Sequence, residues 1–163
     1  MIIDLPTFTL IHVVISVLGI ITGLVVAGGM IAGARLNGWT AFFLVTTVLT
    51  SVTGFFFPFT RVLPPHVVGA ISLAVLAVCL VARYAKDLQG RWRGTYVVTA
   101  IAALYLNVFV LLVQLFLRLP ALAQVAPTQQ EPPFVVTQVL VLALFVWLGR
   151  ASLKGFRTES DER

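Results

Sequence analysis

The sequence predicts an all-α fold: an integral membrane bundle of five transmembrane helices, N-terminus outside and C-terminus cytoplasmic. Three observations predict it. The 163 residues are 60% hydrophobic and only 10% charged, where a soluble domain carries about 25% charged residues, and mean hydropathy is +1.04. The apolar residues fall into five runs, and roughly 18 uncharged residues suffice to cross the ~30 Å hydrocarbon core as a helix. The charges sit almost entirely in the gaps between the runs. One bundle accounts for residues 1–155, followed by a charged tail at 156–163.

The first span is expected over residues 7–33, with Pro6 at a helix start, where a missing N–H does no harm. The sole early charge is Asp4, and the run from Phe8 to Ala34 is too long for the roughly 7–15-residue core of a cleaved leader, so it reads as a retained span. Asn37-Gly38 marks a tight turn. The second span covers 39–57 and ends at Pro58. Pro64 and Pro65 open the third, 66–84. A basic connection, KDLQGRWRG, leads to the fourth span, 95–117. The loop ALAQVAPTQQEPP, rich in Pro and Gln, is expected to be irregular, and the fifth span is 134–148.

Lys and Arg set the orientation. Arg35, Arg83, Lys86, Arg91, Arg93, Arg150, Lys154, Arg157 and Arg163 follow odd-numbered spans; Arg61 and Arg118 follow even-numbered ones. Nine against two places the first group in the cytoplasm under the positive-inside rule, and Trp39, Trp92 and Trp147 gather toward the same side as an interfacial belt. The net charge of +5 therefore answers to topology, and no nucleic-acid partner is expected; the partners are the lipid bilayer and other helices. Cys79 is the single cysteine, so no intrachain disulfide forms, and its place inside an apolar run makes it packing.

Small residues allow close helix approach in lipid. Span one carries Ser16, Gly19 and Gly23 on one stripe, with Gly29 and Gly33 at the same spacing. Span two carries Thr46, Thr47, Thr50, Ser51, Thr53 and Gly54 on adjacent faces. The expectation is helix packing, with hydroxyls bonded to their own backbone.

Polar side chains within the spans are few. His12, His66, Gln114 and Gln138 each lie near the outer end of a different span, with Asn107 on the stripe of Gln114 and Arg118. Intramembrane polar groups usually face the bundle interior. Two readings stay open. The groups bond to neighbouring helices and lock the bundle. Alternatively they surround a ligand: His12 and His66 would ligate haem b or another transition metal, or the four residues would hold a quinone. Glu131, beside Gln129 and Gln130, is placed to pair with Arg61 or Arg118, or to cap the cluster.

The segments WTAFFLVTTVLTSVTGFFFPF, LPPHVVGAISL and APTQQEPPF resemble those of small multi-pass proteins of bacterial inner membranes, a likeness running from His12 to about Trp147. The resemblance implies a bacterial inner-membrane location and carries no activity and no functional residues.

The functional expectation is a non-catalytic membrane subunit or accessory protein, acting as a homo-oligomer or in a membrane complex. The sequence offers no nucleophile–base pair. The alternative is a redox protein using His12 and His66. A small channel or transporter ranks last, because five spans do not divide into paired repeats and no Asp, Glu or Lys lies mid-span.

Overall fold

A computed structural model describes residues 5–57 and 64–156. The described chain is helical: α1 Leu5–Ile31, α2 Asn37–Thr53, α3 Pro64–Leu80, α4 Arg91–Arg118, α5 Pro120–Val125 and α6 Pro132–Gly155. A 3₁₀ turn, Gly54–Phe56, extends α2, and a π turn, Val81–Ala85, extends α3. Five of these units are long and apolar enough to cross a membrane: Leu5–Ile31, Asn37–Phe56, His66–Ala85, Arg91–Arg118 and Pro132–Gly155. Helix neighbours in sequence pack side by side, α6 closes the ring against α1, and α4 also reaches α1 across the middle.

The helix ends obey local chemistry. Pro6 lies in the first turn of α1 as expected. The turn after α1 is earlier than Asn37-Gly38, which instead open α2. Gly33 takes a left-handed φ of 73°, its N–H bonds Met30 O at 3.2 Å, and the Ala34 N–H bonds Gly29 O at 2.8 Å. That double closure is a Schellman cap, which favours glycine because a Cβ is disfavoured at positive φ. Asn37 is free to join the helix and uses its side chain elsewhere.

The basic connection is shorter than expected. The π turn carries α3 to Ala85, with the Lys86 N–H on Val81 O at 2.9 Å. Asp87 and Leu88 then adopt positive φ, a conformation that side chains other than glycine rarely take, and Leu88 turns into the core. Residues 91–94, read as loop, are the first turn of α4.

The segment after α4 is likewise more ordered than a Pro/Gln-rich composition suggests. Pro120 sits in the first turn of α5, where its fixed φ is pre-organised, and the Ala123 N–H closes onto Leu119 O at 2.9 Å. Helix α6 continues past Leu148 to Gly155. Phe156, grouped with the tail by charge alone, is buried against Tyr96, ring centroids 5.7 Å apart. The remaining tail, 157–163, and Asp4, Pro58 and Arg61 lie outside the described residues.

The core runs along α1, α2 and α4. Glycines set its closeness: a Cβ on Gly23 would lie 2.5 Å from Leu104 Cδ1 and 2.8 Å from Phe43 Cε2. Helix α6 is peripheral. Only 6% of its spanning window is buried, against 33% in α1 and in α4. Cys79 is fully buried, as expected of packing.

Candidate functional site

Two ends of the bundle differ in chemistry. The histidine end gathers the start of α1, the end of α2, the start of α3 and the α4–α6 connection. The arginine end gathers the opposite termini.

At the histidine end, α1 and α2 run antiparallel and bring His12 to Thr53. The His12 Nδ1 lies 2.8 Å from Thr53 Oγ1. The threonine hydroxyl has one hydrogen, and it points to Leu49 O at 2.7 Å. Hydrogen-bond bookkeeping therefore assigns the proton to Nδ1, which donates to Thr53, and leaves the Nε2 lone pair of a neutral ring as acceptor. Phe57 stands edge-on to the same ring at 5.1 Å, and Phe8 packs on Phe57 at 5.0 Å. His66, in the first turn of α3, lies against the Phe55 ring at 5.9 Å. Both histidines thus anchor on the closing stretch of α2, residues 53–57, each through a different aromatic partner.

The two glutamines have other surroundings. Gln114 is half-buried on α4. Gln138 is half-buried on α6, one turn past Phe134, whose ring meets Phe116 edge-on at 5.2 Å. Its amide nitrogen and oxygen are sealed from solvent with no hydrogen-bond partner among the described residues. Among those residues no group of three or more His, Cys, Asp or Glu could hold a metal ion.

Glu131 turns onto its own loop. Its carboxylate accepts from the Thr128 hydroxyl at 2.8 Å and from the backbone N–H groups of Thr128 and Gln130, each at 3.1 Å. Desolvation pushes its pKa up, but these hydrogen bonds together with its own N–H outweigh that push and hold the carboxyl below its ordinary range. Gln129, at φ 59°, donates from Nε2 to Val113 O at 3.0 Å and pins the loop to α4.

Sequence reading underrated one interhelical polar contact. Asn107, buried in α4, accepts a hydrogen bond from Ser16 Oγ at 2.8 Å through its Oδ1. A Cβ on Gly19 would stand 3.2 Å from Asn107 Nδ2 and from Thr46 Oγ1, and 3.3 Å from Thr47 Oγ1. The absent side chain is what admits three polar groups between α1, α2 and α4. The signal was present: Asn107 is the one Asn in the interior of an apolar run, and another run carries a small-residue stripe. Its depth opposite Ser16 was not readable without the helix register. The α2 threonines bond their own carbonyls one turn back, Thr46 to Phe42 O at 2.8 Å and Thr47 to Phe43 O at 2.7 Å. Ser51 and Ser72 join α2 to α3 at 3.1 Å.

At the arginine end, Arg83 Nη2 donates to Asn37 Oδ1 at 2.7 Å and its guanidinium lies 5.1 Å from the Tyr96 ring centre. Arg93, from the first turn of α4, donates to Leu153 O at 3.2 Å and to Phe156 O. Those are the last carbonyls of α6, where a cation is favoured by the helix dipole. Trp39, Trp147 and Tyr84 are exposed. Comparison with protein-family models, with curated proteins and with solved structures finds no match.

Proposed function

We propose that this protein is a non-catalytic multi-pass component of a bacterial inner membrane that acts by helix packing, with a partner protein or with further copies of itself, its arginine end in the cytoplasm. The observation that carries this reading is the use made of the interior polar groups. Ser16 and Asn107 join α1 to α4, His12 and Thr53 join α1 to α2, and Ser51 and Ser72 join α2 to α3. Each contact holds two helices together, and interhelical bonds of this kind contribute about 0.6 kcal/mol apiece on average. The charge asymmetry of nine cations against two supports the orientation.

Native mass spectrometry after extraction in mild detergent tests the reading. A homo-oligomer or a constant stoichiometric companion is expected; a monodisperse monomer that never retains another chain overturns it. Orientation is read separately with Gln89→Cys, an exposed position in the basic connection. Its thiol should resist a membrane-impermeant maleimide in intact cells and react after lysis.

One observation favours a second reading, a quinone-type ligand at the histidine end. The Gln138 amide has hydrogen-bonding capacity not used by the described residues, so its NH2 could donate to a quinone carbonyl, while the His12 Nε2 lone pair could accept only from the hydroxyl of the reduced quinol. An absorption spectrum and solvent extract of the purified protein decide it: a bound chromophore lost in Gln138→Leu and His12→Ala supports the ligand, and colourless, quinone-free protein excludes it.

A further inference from the structure

Helices α4 and α6 do not close against each other along their whole length. Between them lies a groove of about 330 Å³. Val98, Ala102 and Tyr105 form one wall; Val146 and Gly149 belong to the other. Small residues on both walls, Ala102 and Gly149, leave it room; a Cβ on Gly149 would meet Ile101 Cγ2 at 3.7 Å. Its lining is apolar except at one end, where Arg150 forms the rim. Arg150 is exposed, and it lies five residues before the end of α6 at Gly155, ~7 Å along the axis at 1.5 Å per residue. That places it near one end of the bundle, where headgroups would lie if α6 crosses a bilayer. Two more exposed cations flank the rim. Arg91 stands seven residues before Val98, on the same face of α4, and Lys154 follows Arg150 by one helical turn.

We infer that this groove binds one anionic phospholipid, an acyl chain lying between α4 and α6 and the phosphate held by Arg150 with Arg91 and Lys154. Charge complementarity selects the occupant. The apolar lining below and the cations above match an acyl chain beneath an anionic headgroup. A zwitterionic lipid would fill the apolar part but leave the cations without a net counter-charge. Basic pockets between transmembrane helices on the cytoplasmic side recognise anionic headgroups in this way, and guanidinium matches phosphate geometry. The inference does not depend on whether the chain works alone or in a complex.

Native mass spectrometry of the detergent-solubilised full chain provides the test, with dioleoylphosphatidylglycerol and dioleoylphosphatidylcholine added in turn. One phosphatidylglycerol per chain should be retained, about tenfold more tightly than phosphatidylcholine. Arg150→Gln should weaken retention about fivefold, the effect of one surface cation, and Arg150→Lys much less. Val146→Trp, a change at an exposed lining position, should abolish the bound lipid while leaving the cations in place. Excess inorganic phosphate should not displace the lipid, because it lacks the chain. Equal retention of both lipids overturns the inference, as does an Arg150→Gln variant that binds normally, a Val146→Trp variant that keeps its lipid, or displacement by phosphate. Lipid mass and chain stoichiometry are read independently in one spectrum, so failure here is distinct from failure of the oligomer reading.

Discussion

The two ends of this bundle are held by different means. At the arginine end, backbone meets backbone. Gly155 lies so close to α1 that a Cβ there would overlap the Ile31 carbonyl, and a Cβ on Gly33 would stand 3.3 Å from Gly155 O. Arg93 then ties the last carbonyls of α6 to α4. At the histidine end, the contacts run through side chains: His12 to Thr53, Phe116 to Phe134, Gln129 to Val113 O. A backbone contact tolerates no substitution, because the main chain cannot swing aside. A side-chain contact can re-form in a new rotamer. The arginine end is therefore expected to be the more rigid, and the histidine end to be where the helices have more room to adjust.

Substitutions at the two ends should differ accordingly, and the largest effect is expected at Gly155. Gly155→Ala should lower stability by about 3 kcal/mol or more, at the upper end of overpacking costs, read as lost thermal stability in detergent. Gly28→Ala is its control. No atom lies within 4 Å of a Cβ there, so the change should be neutral or stabilise by up to about 1 kcal/mol through helix propensity. A Gly155→Ala protein as stable as the parent would remove the basis for calling this end rigid.

Next in size is Arg93→Gln, which should cost about 1–2 kcal/mol through weakened charged hydrogen bonds. It should raise hydrogen exchange at the α6 C-terminus while leaving residues around His12 unchanged. Equal loosening of both ends would show that they are not independent. Asn107→Leu follows, at about 1 kcal/mol or less, since interhelical bonds in membranes rarely exceed ~1.7 kcal/mol. This change sits between the ends and should loosen α1 against α4 on both sides of Ser16.

The smallest effect belongs to the loop of the histidine end. Glu131 has its carboxyl pKa held below the usual range, so its contribution to loop order is complete above the unfolded value of about 4.3. It is lost as pH falls through the lower folded value. Exchange of the Thr128 and Gln130 amides should therefore accelerate only in acid, and Glu131→Gln should flatten that dependence. An acid response retained in the variant would assign it to another group.

What was legible in the sequence follows from how lipid acts on a chain. Lipid requires every spanning segment to be long, apolar and internally hydrogen-bonded. That requirement is written residue by residue, so five helices long and apolar enough to span were readable from five apolar runs. The glycine stripe at Gly19 and Gly23 was readable too, because its four-residue spacing is local to one helix. The partners were not. Nothing in the first run says that Gly19 faces Asn107 and Gly23 faces Leu104; those pairings need the antiparallel register of α1 and α4.

Several boundaries moved for the same reason. Asn37 reads as a turn residue until Arg83 takes its side chain. Phe156 reads as tail until Tyr96 supplies a ring to pack against. Glu131 reads as a partner for an arginine, yet its nearest donors are in its own loop. The sequence by itself determined how many helices are long and apolar enough to cross a membrane, because that depends on composition along one stretch of chain. Only the tertiary structure decided which polar groups meet and which end is locked, because those depend on distances between helices far apart in sequence.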